Sequence, residues 1–307
     1  MRIAFLGTPQ FAVPVLEALI SRHDTICVFT QPDRPVGRKA VLTPPPVKVY
    51  ALAKGLPVKQ FEKIRSEEGI TALSSFQPDL LITAAFGQLL SAENLAIPKF
   101  GTINVHASLL PKYRGASPIQ AAILNGDTVT GVTTMFTDVG MDTGDILLSQ
   151  TCRIEPYDTY ETLSDRLSLV GADLLVKTLQ ELENGTLSRI PQNDLDATVC
   201  RLIRKQDGKL DFNQSAKSVF NRVRAMYPWP CAYSSLNGQQ MRILDALPTD
   251  ITRKNFQSGM LIELNQHLYV NCADYLLEIR VLQMAGKKPV DAASFLRGNA
   301  VNGLVLV

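Results

Sequence analysis

The sequence predicts an α/β fold in which helices cover both faces of a mostly parallel sheet, followed by a small antiparallel β-barrel or sandwich. Up to about residue 190, nearly continuous apolar runs alternate with segments of helical periodicity, which is typical of a buried parallel sheet. From residue 230 onward, short alternating segments are separated by turn signals such as Asn237-Gly238, which favour antiparallel strands.

Each N-terminal element follows from its residue pattern. Strand-like runs predict strands at 3–6, 26–30, 80–85 and 101–106. Apolar residues at helical spacing predict helices at 11–21, 47–54, 66–75, 120–124 and 161–182. Pro14 falls in the first turn of the first helix, where its missing N–H has no hydrogen bond to lose.

The pattern changes after about residue 190. The stretch Ile190-Pro191-Gln192-Asn193 has the composition of an exposed linker. Beyond it, a further helix is predicted at 214–226, and strands are predicted at 241–244 and 276–281. We therefore expect a first domain over residues 1–189, a linker over 190–206 and a C-terminal barrel domain over 207–307.

Composition excludes several classes of protein. The 307 residues carry a net charge of +2, which argues against a protein that coats nucleic acid through bulk charge and against a polybasic membrane binder. Five widely spaced cysteines without a C-x-x-C motif argue against a disulfide scaffold or a structural zinc site. No apolar stretch approaches the ~18 residues of a membrane-spanning helix, so we expect no membrane partner and a cytoplasmic location.

The charge is divided unevenly along the chain. Residues 1–200 hold 17 Lys and Arg against 21 Asp and Glu, a net charge of −4. Residues 201–307 hold 14 against 8, a net charge of +6. The C-terminal part is therefore a candidate surface for a polyanion, although chance scatter of surface charge explains the asymmetry about equally well.

An amide and an imidazole share one face at the end of the fourth predicted strand. Because side chains alternate along a strand, Asn104 and His106 project from the same face. Ligands of open α/β sheets bind beyond the carboxyl ends of the strands. A polar pair in this place is structural about as often as it is catalytic.

The loop 138–145 packs three carboxylates and two glycines into eight residues. It lacks the ligand spacing of an EF-hand, which argues against a metal loop. Two interpretations remain open. In one, the loop is a plain turn between strands in which Gly140 and Gly144 supply positive φ. In the other, it brings one carboxylate to Asn104 and His106.

Several separated motifs resemble the 10-formyltetrahydrofolate-dependent formyltransferases. The signature is Asn104-x-His106-x-Ser108-Leu109-Leu110-Pro111, with Asp142 thirty-six residues after His106. Further matching segments are Gly7-Thr8-Pro9, Arg114-Gly115-Ala116-Ser117-Pro118 and Tyr227-Pro228-Trp229-Pro230. The resemblance covers most of the chain. It implies a Rossmann-like formyltransferase domain followed by a barrel of the oligonucleotide-binding (OB) type.

The resemblance also implies roles for individual residues. The catalytic trio is Asn104, His106 and Asp142. The formyl donor, 10-formyltetrahydrofolate, is expected to contact Phe86, Gly87, Gln88, Leu90, Ser108, Leu109, Leu110, Pro111, Asp138 and Gly140. The implied acceptor is initiator methionyl-tRNA, contacted by Arg38, Lys39, Arg201, Arg204, Lys205, Lys287 and Lys288. No metal is implied, and we expect a monomer.

The chain departs from the family pattern at a few of these places. The family usually has Lys at the position of Leu202 and more basic residues at Lys39-Ala40-Val41. The proline-rich loop 31–49, which the resemblance implies inserts at the tRNA acceptor end, therefore supplies less charge for phosphate contacts. Arg201 or Arg204 is expected to take over the contact made by the missing lysine.

The residue types of the trio suit acyl transfer to an amine. Attack of the methionine α-amine on a formyl carbon places negative charge on an oxygen, to which Asn104 and a protonated His106 can donate hydrogen bonds. Asp142 can hold His106 as the imidazolium and relay protons through water.

Two other hypotheses weigh less. A folate-dependent formyltransferase acting on a small amine, such as an amino sugar or glycinamide ribonucleotide, keeps the same donor. The loop 31–49 argues against both acceptors, and the basic extra domain argues against glycinamide ribonucleotide. A non-catalytic RNA-binding protein does not need the intact trio.

Overall fold

The chain divides into two compact units, each assembled from separated segments. The computed structural model describes residues 1–37, 39–252 and 255–307. The first unit comprises Met1–Pro118, Val129–Arg153 and Ser164–Arg201, and the second comprises Ile119–Thr128, Ile154–Leu163 and Leu202–Val307. The segment predicted as a linker, 190–206, is thus divided between the two units. The division into domains at 1–189 and 207–307 stays a prediction.

The four strands and five helices predicted before residue 190 lie close to their predicted bounds, and the structure adds elements that were not predicted. The strands are β1 (Arg2–Gly7), β2 (Asp24–Thr30), β3 (Arg34–Val36), β4 (Val41–Thr43), β5 (Val58–Gln60), β6 (Leu80–Ala84), β7 (Thr102–His106), β8 (Arg114–Gly115), β9 (Val129–Phe136), β10 (Ile146–Arg153) and β11 (Val199–Cys200). The helices are α1 (Ala12–Ile20), α2 (Pro46–Ala53), α3 (Glu67–Ser75), α4 (Ala92–Leu95), α5 (Pro118–Asn125) and α6 (Tyr160–Asn184).

The central sheet of the first unit is mostly parallel, as predicted. Its strand order is β10-β9-β7-β6-β1-β2-β5. The neighbours from β7 to β5 pair in parallel, whereas β9 and β10 add two antiparallel pairings at one edge. All five residues of β6 are buried, which explains why this strand is a continuous apolar run rather than an alternating one.

The second unit contains the predicted antiparallel sheet. Its elements are α7 (Ala216–Met226), β12 (Ala232–Leu236), β13 (Gln239–Pro248), β14 (Leu261–Leu264), β15 (His267–Asn271), β16 (Leu276–Met284), β17 (Val290–Asp291) and α8 (Ala292–Leu296). The strand order is β12-β13-β16-β15-β14, with β17 paired to β16. Asn237 and Gly238 both have positive φ between β12 and β13, as the tight hairpin turn predicted from Asn-Gly requires.

Two regions expected to lack regular structure contain paired strands. Part of the loop 31–49 forms the β3–β4 hairpin, with Val36 opposite Val41. Part of the expected linker forms β11, which pairs in parallel with β8. The predictions missed both because strands of two or three residues carry too few side chains to show a period.

All five cysteines are buried and free of disulfides. Burial raises the pKa of the Cys27 and Cys272 thiols to about 12, so neither is a thiolate at neutral pH. They behave as small apolar side chains. Across the described parts of the chain, no helix combines the length and the apolar character that crossing a membrane requires.

Candidate active site

Strand β7 and the loop between β9 and β10 bring the predicted trio together. Asn104 and His106 lie on β7, where Asn104 pairs with Met135 of β9 and His106 with Thr133. The loop that leaves β9 carries Asp142 back to this edge of the sheet. His106 and Asp142 are largely enclosed, with side chains 7% and 19% exposed. Of the two interpretations of the loop, the structure favours the one that delivers a carboxylate.

The amide of Asn104 has a fixed orientation. Thr83 on β6 lies directly beside Asn104 in the parallel pairing, and its hydroxyl donates to Asn104 Oδ1 at 2.9 Å. The amide nitrogen therefore faces the other way, where Nδ2 lies 3.4 Å from Asp142 Oδ1. Asn104 thus presents an N–H donor to the space beside Asp142.

Both ring nitrogens of His106 face oxygen atoms. Nε2 lies 2.9 Å from the Tyr113 carbonyl oxygen, and since a carbonyl can only accept, Nε2 carries a hydrogen. Nδ1 lies 3.6 Å from Asp142 Oδ2. Because Nε2 is occupied by Tyr113, Nδ1 is the nitrogen placed to exchange a proton in the site.

Asp142 is held in an unusual backbone conformation. Its φ is +54°, in the left-handed region that costs a residue other than glycine about 1–3 kcal/mol unless its surroundings enforce it. Its Oδ2 accepts a 2.8 Å hydrogen bond from the backbone N–H of Gly115. Asp142 therefore touches Asn104, His106 and Gly115, and its position depends on all three.

The two glycines of the loop do not have the positive φ that the plain-turn interpretation gives them. Neither Gly140 nor Gly144 has positive φ; within this loop that conformation belongs to Asp142. A methyl group at Gly140 would overlap with Thr143 Oγ1, and one at Gly144 would overlap with the Phe136 carbonyl oxygen. The glycines thus allow close approach rather than a left-handed turn.

One side chain from the expected linker reaches the loop. Gln192 Nε2 donates to the backbone carbonyl oxygens of Asp142 at 2.9 Å and Gly144 at 2.7 Å. The sequence alone does not assign Gln192, Thr83 or Gly115 to the site. Thr83 lies near the carboxyl end of a predicted strand and Gly115 lies in the family-like segment 114–118, whereas Gln192 carries no comparable signal.

The expected folate contacts are mainly engaged in structural interactions in this structure. Phe86 is buried and belongs to an apolar cluster with Leu6 and Phe29. The side-chain amide of Gln88 accepts from the Ile64 N–H at 2.6 Å and donates to the Phe61 carbonyl oxygen at 2.8 Å. The side chains of Phe86 and Gln88 are therefore engaged within the protein.

Three more of the expected folate positions, Gly87, Leu90 and Asp138, lie in different local environments. Gly87 has φ +78°, and Leu90 packs partly buried against the cluster that contains Phe86. Asp138 Oδ1 accepts from the N–H of Gly140 and the hydroxyl of Thr143.

The signature residues after His106 form a tight turn beside β9. Ser108 is fully buried and donates to the Lys112 carbonyl oxygen at 2.6 Å. Leu110 donates its N–H to Thr133 Oγ1, Leu109 side-chain atoms lie close to Gly131, and the peptide bond to Pro111 is cis. These residues thus fix the course of the chain from His106 to Tyr113, whose carbonyl oxygen holds the imidazole.

A cavity of about 570 Å³ borders the loop 138–145. Thr102 and Thr137 line it together with Asp138, and Thr102 projects from the same face of β7 as Asn104. Thr102 is 2% exposed, and within the described parts of the chain its hydroxyl and that of Thr137 have no hydrogen-bond partner. Unpaired buried hydroxyls cost free energy, so this cavity suits a ligand that carries polar groups.

The expected tRNA contacts are exposed where the structure describes them. The exposed side chains are those of Lys39, Arg201, Arg204, Lys205, Lys287 and Lys288. Arg38 lies outside the described residues. In the same described ranges, no group of three or more His, Cys, Asp or Glu side chains is arranged to hold a metal ion.

Comparison with known proteins gives a consistent assignment. A family model described as "Formyl transferase" matches residues 1–179, and one described as "Formyl transferase, C-terminal domain" matches residues 202–300. A methionyl-tRNA formyltransferase of Thermodesulfovibrio yellowstonii is 46% identical over 301 residues, covering 98% of this chain and 96% of the relative. One from Staphylococcus aureus is 45% identical over 306 residues, covering 99% and 98%.

Solved structures share the fold at lower identity. A sugar 3N-formyl transferase, WlaRD, described in the presence of dTDP and 5-N-formyl-tetrahydrofolate, superposes with a TM-score of 0.69 at 20% identity, covering 94% of this chain and 99% of its own. An N-formyltransferase of Helicobacter canadensis gives 0.67 at 22%, covering 91% and 98%. On the family models and the two relatives of nearly full coverage, the chain belongs to the formyl transferase family.

Proposed function

We propose that this chain transfers the formyl group of 10-formyltetrahydrofolate to the α-amino group of initiator methionyl-tRNA. The observation that carries the proposal is the junction of Asn104, His106 and Asp142 in a chain that is 46% identical, over nearly its whole length, to a methionyl-tRNA formyltransferase. This activity belongs to translation, so we propose a cytoplasmic location, and we propose that the enzyme acts as a monomer.

The geometry supports a separate task for each member of the trio. Asn104 Nδ2 is turned toward the site by Thr83 and can donate to an oxygen that gains negative charge,. His106 Nδ1 faces Asp142 and can accept the proton that the attacking amine loses,. Asp142 stabilises the charge on His106 and keeps its ring in place through the 3.6 Å contact,.

The cavity beside the loop 138–145 fits a reduced folate. A pterin ring carries several N–H groups and ring nitrogens, which can satisfy the unpaired hydroxyls of Thr102 and Thr137 and the carboxylate of Asp138,. The proposal therefore adds Thr102 and Thr137 to Asp138, the expected folate contact that lines this cavity. When bound there, the folate supplies the formyl group that is transferred.

A direct assay tests the proposed reaction. Purified protein is given 10-formyltetrahydrofolate with initiator methionyl-tRNA, elongator methionyl-tRNA or a nucleotide-linked amino sugar in parallel. We expect formyl-methionyl-tRNA from the initiator species and at least about tenfold less kcat/KM with the elongator, a difference of about 1.4 kcal/mol in transition-state binding. Formylation of the amino sugar alone would replace the proposed acceptor with a small amine.

The exposed lysines of the second unit provide a second prediction. Lys287 and Lys288 are exposed, and each phosphate contact contributes about −0.9 to the slope of log affinity against log salt. We expect the double variant Lys287→Gln, Lys288→Gln to reduce the magnitude of this slope by about 2 and to weaken tRNA binding most at low salt.

The matched control is Lys54→Gln, Lys59→Gln, which removes two exposed lysines that have no proposed role. Filter binding or fluorescence anisotropy at several salt concentrations measures both slopes. If the two double variants lose affinity equally, the effect is general charge and Lys287 and Lys288 do not contact the tRNA.

A further inference from the structure

Gln192, in the segment expected to be a linker, contacts the backbone of the loop that carries Asp142. This segment is fixed beside the catalytic loop, since Ile146 and Ile190 exchange two backbone hydrogen bonds of 2.9 Å. Two residues later, Gln192 directs its side chain at the loop. Its single NH2 group donates to the carbonyl oxygens of Asp142 and Gly144, and so spans the backbone on both sides of Thr143.

The orientation of the Gln192 amide is itself fixed. Gln192 Oε1 accepts a 3.0 Å hydrogen bond from Arg114 Nε, so the NH2 group must face the loop. Arg114 is buried and its guanidinium lies 2.8 Å from Asp194 Oδ1. The same strand β8 that holds this guanidinium also contributes the Gly115 N–H that binds the Asp142 carboxylate.

Asp142 is therefore held by hydrogen bonds at two points. The Gly115 N–H holds its side chain, and Gln192 holds its backbone. A residue at φ +54° keeps that conformation only if its surroundings enforce it,. A displacement of about 1 Å in a catalytic group can lower the rate by about 10²-fold. We propose that Gln192 is a positioning residue, which keeps the Asp142 carboxylate against His106 by holding the loop backbone in its left-handed conformation.

This inference rests on the proposed function for its activity readout, and a second readout is independent of the reaction. Two substitutions whose side chains match glutamine in length separate the loss of the hydrogen bonds from added repulsion. Gln192→Met keeps the volume and removes all three side-chain hydrogen bonds, the two to the loop and the one from Arg114 Nε. Gln192→Glu places a carboxylate oxygen against two carbonyl oxygens, which adds repulsion. Gln150→Glu is the matched control, because Gln150 is exposed and its amide donates to the carbonyl oxygen of the next residue rather than to the loop.

We expect kcat to fall about tenfold in Gln192→Met and about 10²-fold in Gln192→Glu, with the affinity for tRNA within about twofold of the parent and Gln150→Glu unchanged. If Gln192 served packing alone, Gln192→Met would keep full turnover per folded molecule. Turnover of Gln192→Met and Gln192→Glu within twofold of the parent, at equal folded fraction, overturns the proposal.

The independent readout is the amide resonance of Gly115. Because this N–H donates to Asp142 Oδ2 at 2.8 Å, we expect its proton signal to move upfield when the carboxylate withdraws. The shift should be larger in Gln192→Glu than in Gln192→Met and absent in Gln150→Glu. An unmoved Gly115 signal in both Gln192 variants contradicts the positioning role even if the acceptor proves not to be tRNA.

Discussion

His106→Ala is expected to lower kcat for formyl transfer by about 10²–10⁴-fold, the usual contribution of a general acid–base group, because it removes the base that accepts the proton of the attacking amine. The substitution also removes Nδ1, the ring nitrogen that faces Asp142. Asp142→Asn keeps an oxygen that can accept from Gly115 but removes the charge opposite His106. We expect it to lower kcat by about 10²-fold or more, within the usual range for general acid–base groups.

Both variants are expected to bind tRNA nearly as well as the parent, because neither residue is among the exposed cations assigned to phosphate contacts. Steady-state kinetics in both substrates, with tRNA affinity measured by anisotropy, separate the two effects. The control is His267→Ala, which removes an exposed imidazole paired with Glu278. A large loss of tRNA affinity with unchanged kcat would contradict the catalytic assignment of His106 and Asp142.

Gly144→Ala is expected to disable the enzyme through the backbone of the loop. A methyl group at Gly144 would overlap with the Phe136 carbonyl oxygen, which is backbone and has no rotamer to change. Relief of the overlap must move the segment that carries Asp142 and that Gln192 holds. We expect kcat to fall at least about 10²-fold and the free energy of unfolding to fall by about 1–3 kcal/mol.

The matched control is Gly298→Ala. Gly298 does not have positive φ, and among the described residues no atom beyond its chain neighbours lies within 4 Å of the position its methyl group would occupy. Denaturant unfolding and kinetics on the two variants measure both quantities. If Gly144→Ala retains the parent kcat and stability, the loop tolerates displacement and the position of Asp142 is less tightly fixed than its contacts indicate.

The parts of the site that the sequence predicts are those that depend on local periodicity. Alternation along β7 places Asn104 and His106 on one face, and the continuous apolar run of β6 indicates a buried parallel strand. The Asn-Gly pair at 237–238 fixes a hairpin turn. In each case the structure is determined by residues a few positions apart, so the local sequence pattern is enough to predict it.

The parts that the sequence does not predict depend on contacts between distant residues. Gln192 lies 50 residues beyond Asp142, and Gly115 lies 27 residues before it. Neither shows a local pattern that separates it from other polar or turn residues. The plain-turn interpretation of the loop gives Gly144 positive φ, whereas the structure shows a close approach to the Phe136 carbonyl oxygen, which arises only when β9 and β10 are paired.

The interleaved course of the chain has a consequence for how the protein is made. Helix α5, whose Ile123 is fully buried in the finished protein, is translated long before Leu202–Val307, the largest segment of its unit. At about 5–20 residues per second, the ribosome needs about 10–40 s to add the remaining ~180 residues. For much of that interval Ile119–Thr128 and Ile154–Leu163 have been made, but most of their unit has not. A chain released before residue 202 therefore carries two segments of the second unit without the segment that forms its antiparallel sheet.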